Sequence, residues 1–172
     1  TLVLGATRLA ILDLSPAGHM PMHDPDTGNW IVYNGEVYNY QTLRRRLESS
    51  GVTFRSNTDT EVVLKAYGCW GADCLRHLRG MFAFAIWDAR RQELFLARDR
   101  LGKKPLYYFT PTPGLFLFAS EVRALLQSGL VTRRLDPAGL EVFLWNGFLV
   151  APLTLVAGVR SLLPGHCLRV SA

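Results

Sequence analysis

Three short stretches of this chain combine charge with small residues that leave the main chain accessible: residues 7–13 (TRLAILD), 33–39 (YNGEVYN) and 56–61 (SNTDTE). Singly, each has an ordinary structural account. Arg8 is a strand-edge charge, Asn34-Gly35 a tight turn, and Asp59 part of a helix start. Together they supply one guanidinium, two carboxylates and an Asn-Gly pair, which is what a site for a free amino acid with a side-chain amide needs. Arg8 can hold an α-carboxylate through two parallel N–H bonds. Glu36 and Asp59 can hold an α-ammonium. Asn34 can donate from its side-chain amide, and Gly35 from its main-chain N–H, to a developing oxyanion. Without a Cβ at Gly35, the backbone can come close to a substrate carbonyl.

Groups used in this way need ordered elements behind them. Residues 1–14 are rich in Leu, Val and Ile and predict a buried strand running through Arg8. Residues 15–28 carry Pro, Gly, Asp and His and read as a loop. Trp30, Val32 and Asn34 alternate with Ile31 and Tyr33, predicting a second strand that ends at the Asn-Gly. A helix follows, with Tyr40, Leu43 and Leu47 on one face, and Gly51 is its stop. Thr58, three residues before Glu61, predicts a capping box, with Val62, Val63, Ala66 and Tyr67 as the apolar stripe behind it.

Downstream, residues 81–99 read as a hairpin around Asp88-Ala89-Arg90-Arg91, and residues 105–120 as a second strand pair. Ser120 and Gly129 bound a short helix, and another helix starts at Asp136 before a final loop and strand pair. Strands joined by tight turns, with helices in separate blocks, predict an α+β fold with antiparallel sheets rather than a parallel doubly wound one.

Composition narrows the function classes. A chain of 172 residues with 49% apolar and 19% charged residues is expected to form one soluble domain over 1–172. No apolar run matches a membrane span and no cleavable leader is evident, so a cytoplasmic location is expected. Cys69, Cys74 and Cys167 lack a repeated Cys-x-x-Cys spacing, and the histidines lack metal-ligand spacing, so neither a disulfide framework nor a metal is expected. The net charge of +5 is spread over separated arginine pairs and triplets, which favours a solvated surface over a nucleic-acid face.

The stretches TRLAILDLSPAGHMPM, YNGEVYN, SNTDTEVVLKAY, LRGMFAFAIWD, LFLARDRLGKKPLYY and FASEVRALL occur in unbroken order between Thr7 and Leu126, within a resemblance that runs from about Thr1 through His166. In that order they closely resemble the class II glutamine amidotransferase domain of asparagine synthetases. The resemblance implies an N-terminal-nucleophile hydrolase fold, a four-layer sandwich of two stacked antiparallel sheets flanked by helices. It implies L-glutamine as ligand, with Arg8 as the carboxylate-binding residue and the main chain of Leu9, Ala10, Ile11 and Leu12 beside it. Asn34 and Gly35 resemble the oxyanion-hole pair, and Glu36 and Asp59 the ammonium-binding carboxylates. Two departures stand near Arg8: Ala6 where the family often has His, and Gly18-His19-Met20-Pro21-Met22 where many members read Gly-x-Gln-Pro-Met.

Members of that family begin with Cys, whose thiol attacks the glutamine amide while its own α-amine serves as base. This chain begins with Thr1, within a stretch that resembles the strand leading into the Arg, so the Cys is expected some tens of residues upstream. The three internal cysteines lack an α-amine. On this reading the chain alone hydrolyses no glutamine. The resemblance also implies a C-terminal synthetase domain that binds ATP with Mg²⁺, as partner in the same longer chain. Lys103 and Lys104 come with no Gly-rich phosphate cradle, so no cofactor is expected in this domain. A homodimer stays open. The alternatives are an asparagine-synthetase-like amidotransferase with another acceptor, or a scaffold or glutamine-binding module without catalysis.

Overall fold

The computed structural model describes residues 1–8, 12, 13 and 15–171. Leu9, Ala10 and Ile11, expected beside Arg8, lie outside the described residues, as do Leu14 and Ala172. Contacts divide the chain into two compact units, Thr1–Ala97 with Leu168–Ala172, and Arg98–Cys167.

The first unit is built on a five-stranded sheet. Its strands, in spatial order, are β1 (Met22–His23), β2 (Trp30–Val37), β3 (Gly80–Asp88), β4 (Glu93–Arg98) and β8 (Cys167–Ser171). Strands β2 and β3 pair antiparallel from Trp30↔Trp87 to Val37↔Gly80. Ile31, Tyr33 and Val37 project to one face of β2 and are buried with Phe82, Phe84 and Phe95. Helices α1 (Tyr40–Ser49), α2 (Asp59–Trp70) and α3 (Cys74–His77) complete this unit.

The expected strand end at Asn34-Gly35 is corrected: β2 runs on through both residues to Val37. The glycine serves a close approach rather than a turn. A Cβ at Gly35 would fall on the Met81 carbonyl oxygen and 2.7 Å from the Phe82 Cα. Gly80, across the ladder, mirrors this: a Cβ there would fall on the Glu36 carbonyl oxygen. Two glycines thus let the strands pinch together where β2 ends.

The predicted strand over residues 1–14 is also corrected in its described part, its residues 9–11 and 14 lying outside the described residues. Residues 1–8 form no strand, and Val3 is 84% exposed. An apolar run becomes a strand only where a partner edge accepts its N–H and C=O groups, which no composition rule supplies.

Helix α1 buries Leu43 and Leu47, as the spacing predicts. Two of its three arginines are engaged within the unit: Arg44 bonds Glu48 at 2.9 Å and the Ser56 carbonyl at 2.7 Å, and Arg46 lies over the Trp70 ring. In α2, Thr58 caps the helix by accepting from Glu61 N at 3.1 Å. The other half of the predicted box differs. The Glu61 carboxylate reaches further back and accepts from Arg55 N, Ser56 N and Ser56 Oγ, because residues 55–56 fold over the helix start.

Every residue of α2 from Asp59 to Tyr67 is buried, including Lys65. The Lys65 ammonium is met by Asp24 at 2.7 Å and by Asp26. Burial alone would raise the Asp24 carboxyl, but bonds from Lys65, Thr27 and the Asp26 N–H hold it below its ordinary value. Burial alone would lower Lys65, but its bonds to Asp24 and Asp26 hold it above its ordinary value. The Asp24 contribution is therefore complete above about pH 4 and is lost as pH falls through its lower folded value. The Lys65 contribution is complete below about pH 10 and is lost as pH rises through its folded value. Asp24→Asn, which leaves the buried ammonium to the more exposed Asp26, is expected to cost about 3 kcal/mol at neutral pH. Urea unfolding at pH 7 and pH 3 checks it: the wild type loses stability in acid, and the variant loses less.

The second unit carries a three-stranded sheet in the order β6 (Leu115–Ala119), β5 (Tyr107–Thr112), β7 (Arg160–Ser161). Leu125, Val131 and Val159 form its core. Helix α4 (Val122–Gln127) begins two residues after Ser120, with Glu121 at its N-cap and no side-chain cap bond. Helix α5 (Pro137–Asn146) starts as predicted, with Asp136 accepting from Ala138 N and Gly139 N, and ends at the left-handed Gly147. The charged stretch around Lys103 is knit to itself. Arg98 donates to the carbonyls of Gly102, Lys104 and Leu162, and Asp99 accepts from the N–H groups of Leu101, Lys103 and Lys104. The expected α+β class with two antiparallel sheets is what the chain forms.

Candidate functional site

Asn34, Gly35 and Glu36 are consecutive in β2, opposite Ala83, Phe82 and Met81 of β3. Alternation along the strand puts Asn34 and Glu36 on one face and Tyr33 and Val37 on the other. Asn34 is exposed and Glu36 half-buried, while Tyr33 and Val37 are buried.

The buried face meets the first residue of α2. Asp59, only 6% exposed, accepts at Oδ2 from the Tyr33 hydroxyl at 2.6 Å and from Val37 N at 2.9 Å. The positive end of the α2 dipole also favours a carboxylate there. Burial, then the Asp59 charge and its hydrogen bond, and also the Glu36 charge, push the Tyr33 phenol far above its ordinary value. The phenol therefore stays a donor to Asp59.

Arg8 belongs to a different arm. Its Nη2 donates to the carbonyls of Leu12 at 2.7 Å and Asp13 at 2.6 Å. The guanidinium lies over Gly18, where an added Cβ would overlap it. Asp13 has a left-handed backbone, φ 54°, and accepts from Ser15 N at Oδ1 and from Asn57 N at Oδ2, the latter at 2.8 Å. The Ser15 hydrogen bond and then that from Asn57 hold the Asp13 carboxyl below its ordinary value. Asn57 lies two residues before Asp59, so Asp13 ties the Arg8 loop to the start of α2.

The structure thus places Asn34, Gly35 and Glu36 near the end of β2, bonds Asp59 at the start of α2 to the flanking Tyr33 and Val37, and joins Arg8 to that helix start through Asp13. Leu12 offers its carbonyl to Arg8, and Leu9, Ala10 and Ile11 lie outside the described residues. Two participants escape sequence reasoning. Asp13 gives no signal, because a positive φ at Asp is not written in its neighbours. Tyr33 gives one: a Tyr in register with the buried Ile31 must find a partner for its hydroxyl.

A cleft of about 330 Å³ opens among Thr27, Asn29, Tyr67, Cys69, Asp88 and Arg90. It lies at the opposite end of β2 and includes none of these site residues. Among the described residues no cluster of His, Cys, Asp and Glu could hold a metal ion, and no helix is long and apolar enough to cross a membrane.

The sequence matches the glutamine amidotransferase domain family over residues 1–172. It is 41% identical to the glutamine-hydrolysing asparagine synthetase 3 of Bacillus subtilis, over 98% of this chain and 28% of that protein. It is 39% identical to the amidase chyE of Penicillium rubens, over 98% of this chain and 24% of that protein. The chain therefore spans about a quarter of the length of these curated relatives. Among solved structures, the glutamine phosphoribosylpyrophosphate amidotransferase of B. subtilis superposes with TM-score 0.60 at 24% identity, over 72% of this chain and 28% of that one. That likeness is one of fold, the N-terminal-nucleophile hydrolase fold of amidotransferases. Family match, near-complete alignment to a glutamine-hydrolysing asparagine synthetase and shared fold agree, and the chain belongs to the glutamine amidotransferase domain family.

Proposed function

We propose that this domain binds L-glutamine and serves as the ammonia-supplying glutaminase part of a longer asparagine synthetase. The observation that carries the reading is the family match over the whole chain, in which buried Asp59 is bonded to Tyr33 and Val37, the residues that flank Asn34, Gly35 and Glu36 in β2. Two carboxylates answer the α-ammonium, and Arg8 answers the α-carboxylate. Asn34 Nδ2 and Gly35 N–H then face the amide carbonyl, whose oxygen becomes negative when a thiolate adds to its carbon. Ammonia leaves, and water releases glutamate from the thioester. In this reading the thiol comes from an N-terminal Cys of the longer protein. ATP and Mg²⁺ belong to a C-terminal synthetase domain that amidates aspartate, and the whole works in the cytoplasm.

Calorimetric titration of the 172-residue chain with L-glutamine tests the reading. Saturable binding that D-glutamine does not reproduce is expected. Arg8→Ala should weaken it by roughly 2–4 kcal/mol, the worth of a charge-assisted bidentate contact. Absence of binding, or equal binding of both enantiomers, overturns it.

The similarity to an amidase of P. rubens favours a second reading in one respect. The same glutaminase can feed an acceptor other than aspartate, chosen by the rest of the protein. Assaying the longer protein with glutamine, ATP and aspartate separates the two, since asparagine forms only under the first.

A further inference from the structure

We propose that Tyr33 is a positioning residue of the amino-acid site: its hydroxyl, with the Val37 N–H, fixes Asp59 Oδ2 and leaves Oδ1 as the oxygen offered to the ligand's ammonium. The inference rests on the glutamine-binding reading above and adds to it a residue outside the Asn34–Gly35–Glu36 run. A carboxylate on a short side chain can rotate about its last torsion and present either oxygen. Here Oδ2 receives donors from two residues of β2 four apart in sequence, 2.6 Å from the Tyr33 hydroxyl and 2.9 Å from Val37 N. One donor is main chain and stays in any variant. The other is a side chain at 7% exposure, held in the core cluster by the ring that carries it.

The bond crosses from strand to helix, spanning 26 residues of sequence, so it also sets where α2 begins relative to β2. Without the phenol, Oδ2 keeps one donor and the carboxylate gains freedom about its torsion. Because Oδ2 is burdened with two donors, its share of negative charge is already engaged, and the ammonium is met by Oδ1 in one defined direction. Tyr33 therefore acts on affinity for the ammonium through Asp59, without touching the ligand.

Two ligands separate positioning from general support. L-glutamine carries the α-ammonium, and 4-carbamoylbutanoate is the same molecule without it. In the 172-residue chain, Tyr33→Phe is expected to weaken L-glutamine roughly tenfold, the scale of one lost hydrogen bond to a charged group. Binding of 4-carbamoylbutanoate should stay unchanged. In an Asp59→Asn background, Tyr33→Phe should have no further effect on L-glutamine. Tyr33→4-aminophenylalanine, which keeps a weaker para donor, should fall between wild type and Tyr33→Phe, and it carries the test if Tyr33→Phe does not fold. Equal weakening of both ligands, or no weakening of either, overturns the proposal and leaves the glutamine reading standing. Failure of the wild-type chain to bind L-glutamine overturns the reading itself, and this inference with it.

Discussion

Gly35→Ala is expected to be among the most damaging single-methyl changes in the first unit. The added Cβ would coincide with the Met81 carbonyl oxygen and approach the Phe82 Cα and Cβ at 2.7 and 2.9 Å. Relief by sliding β3 away is opposed on both sides. Gly80 makes the same close approach to Glu36, and eight registered pairs hold the two strands from Trp30 to Val37. A cost of about 3 kcal/mol or more follows, which lowers the melting temperature by roughly 6–12 °C for a chain of this size. Gly51→Ala is the control. Its φ is 87° but nothing lies within 4 Å of the added Cβ, so only a backbone cost of about 1 kcal/mol is expected. Thermal melts of both variants decide it. Equal small losses would mean that the strands separate easily, and that Gly35 is not required by packing.

Asn34→Ala should behave in the opposite way, with a small loss of stability and a large loss of turnover. The side chain is exposed and the residue sits within a strand, opposite Ala83, with no left-handed backbone to support. Its removal should therefore change stability by no more than about 0.5 kcal/mol. An oxyanion donor, by contrast, acts on the transition state. In a longer protein that carries the nucleophile, glutamine-dependent kcat should fall about a hundred- to a thousandfold, roughly 3–4 kcal/mol, with less change in KM. Ammonia-dependent synthesis should stay near its wild-type rate. A proportional fall in both activities together with a large drop in melting temperature would make Asn34 a structural residue and end its assignment to the oxyanion hole.

Much of the architecture is legible in residue order. The helix over residues 40–49 follows from Tyr40, Leu43 and Leu47, and the hairpin at Asp88 from its polar turn, where Asp88 Oδ1 accepts from Arg90 N and Arg91 N. The start of α5 follows from Asp136. These are local features, closed within a few residues, and local chemistry suffices to specify them. The α+β class follows from their order along the chain. The family is legible too, because its motifs recur in unbroken succession.

What residue order leaves open is whatever depends on a distant partner. Asn34-Gly35 has the composition of a turn, and it becomes strand interior because β3, nearly 50 residues later, brings Gly80–Phe82 against it. Residues 1–8 of the opening apolar run lack such a partner among the described residues and form no strand. Glu61 has the spacing of a capping box, but its carboxylate goes to residues 55 and 56 once the preceding loop folds back. Residue types offer Arg8, Glu36 and Asp59 as candidate site residues. They do not offer the relation between these residues: that Asp59 spends one oxygen on Tyr33 and Val37, and that Asp13 ties Arg8 to Asn57, comes from contacts between segments 22 to 44 residues apart. Hydrogen-bond partners at such separations are settled by packing, because the energy of burying Ile31, Val37, Val62 and Phe84 together chooses which polar groups meet.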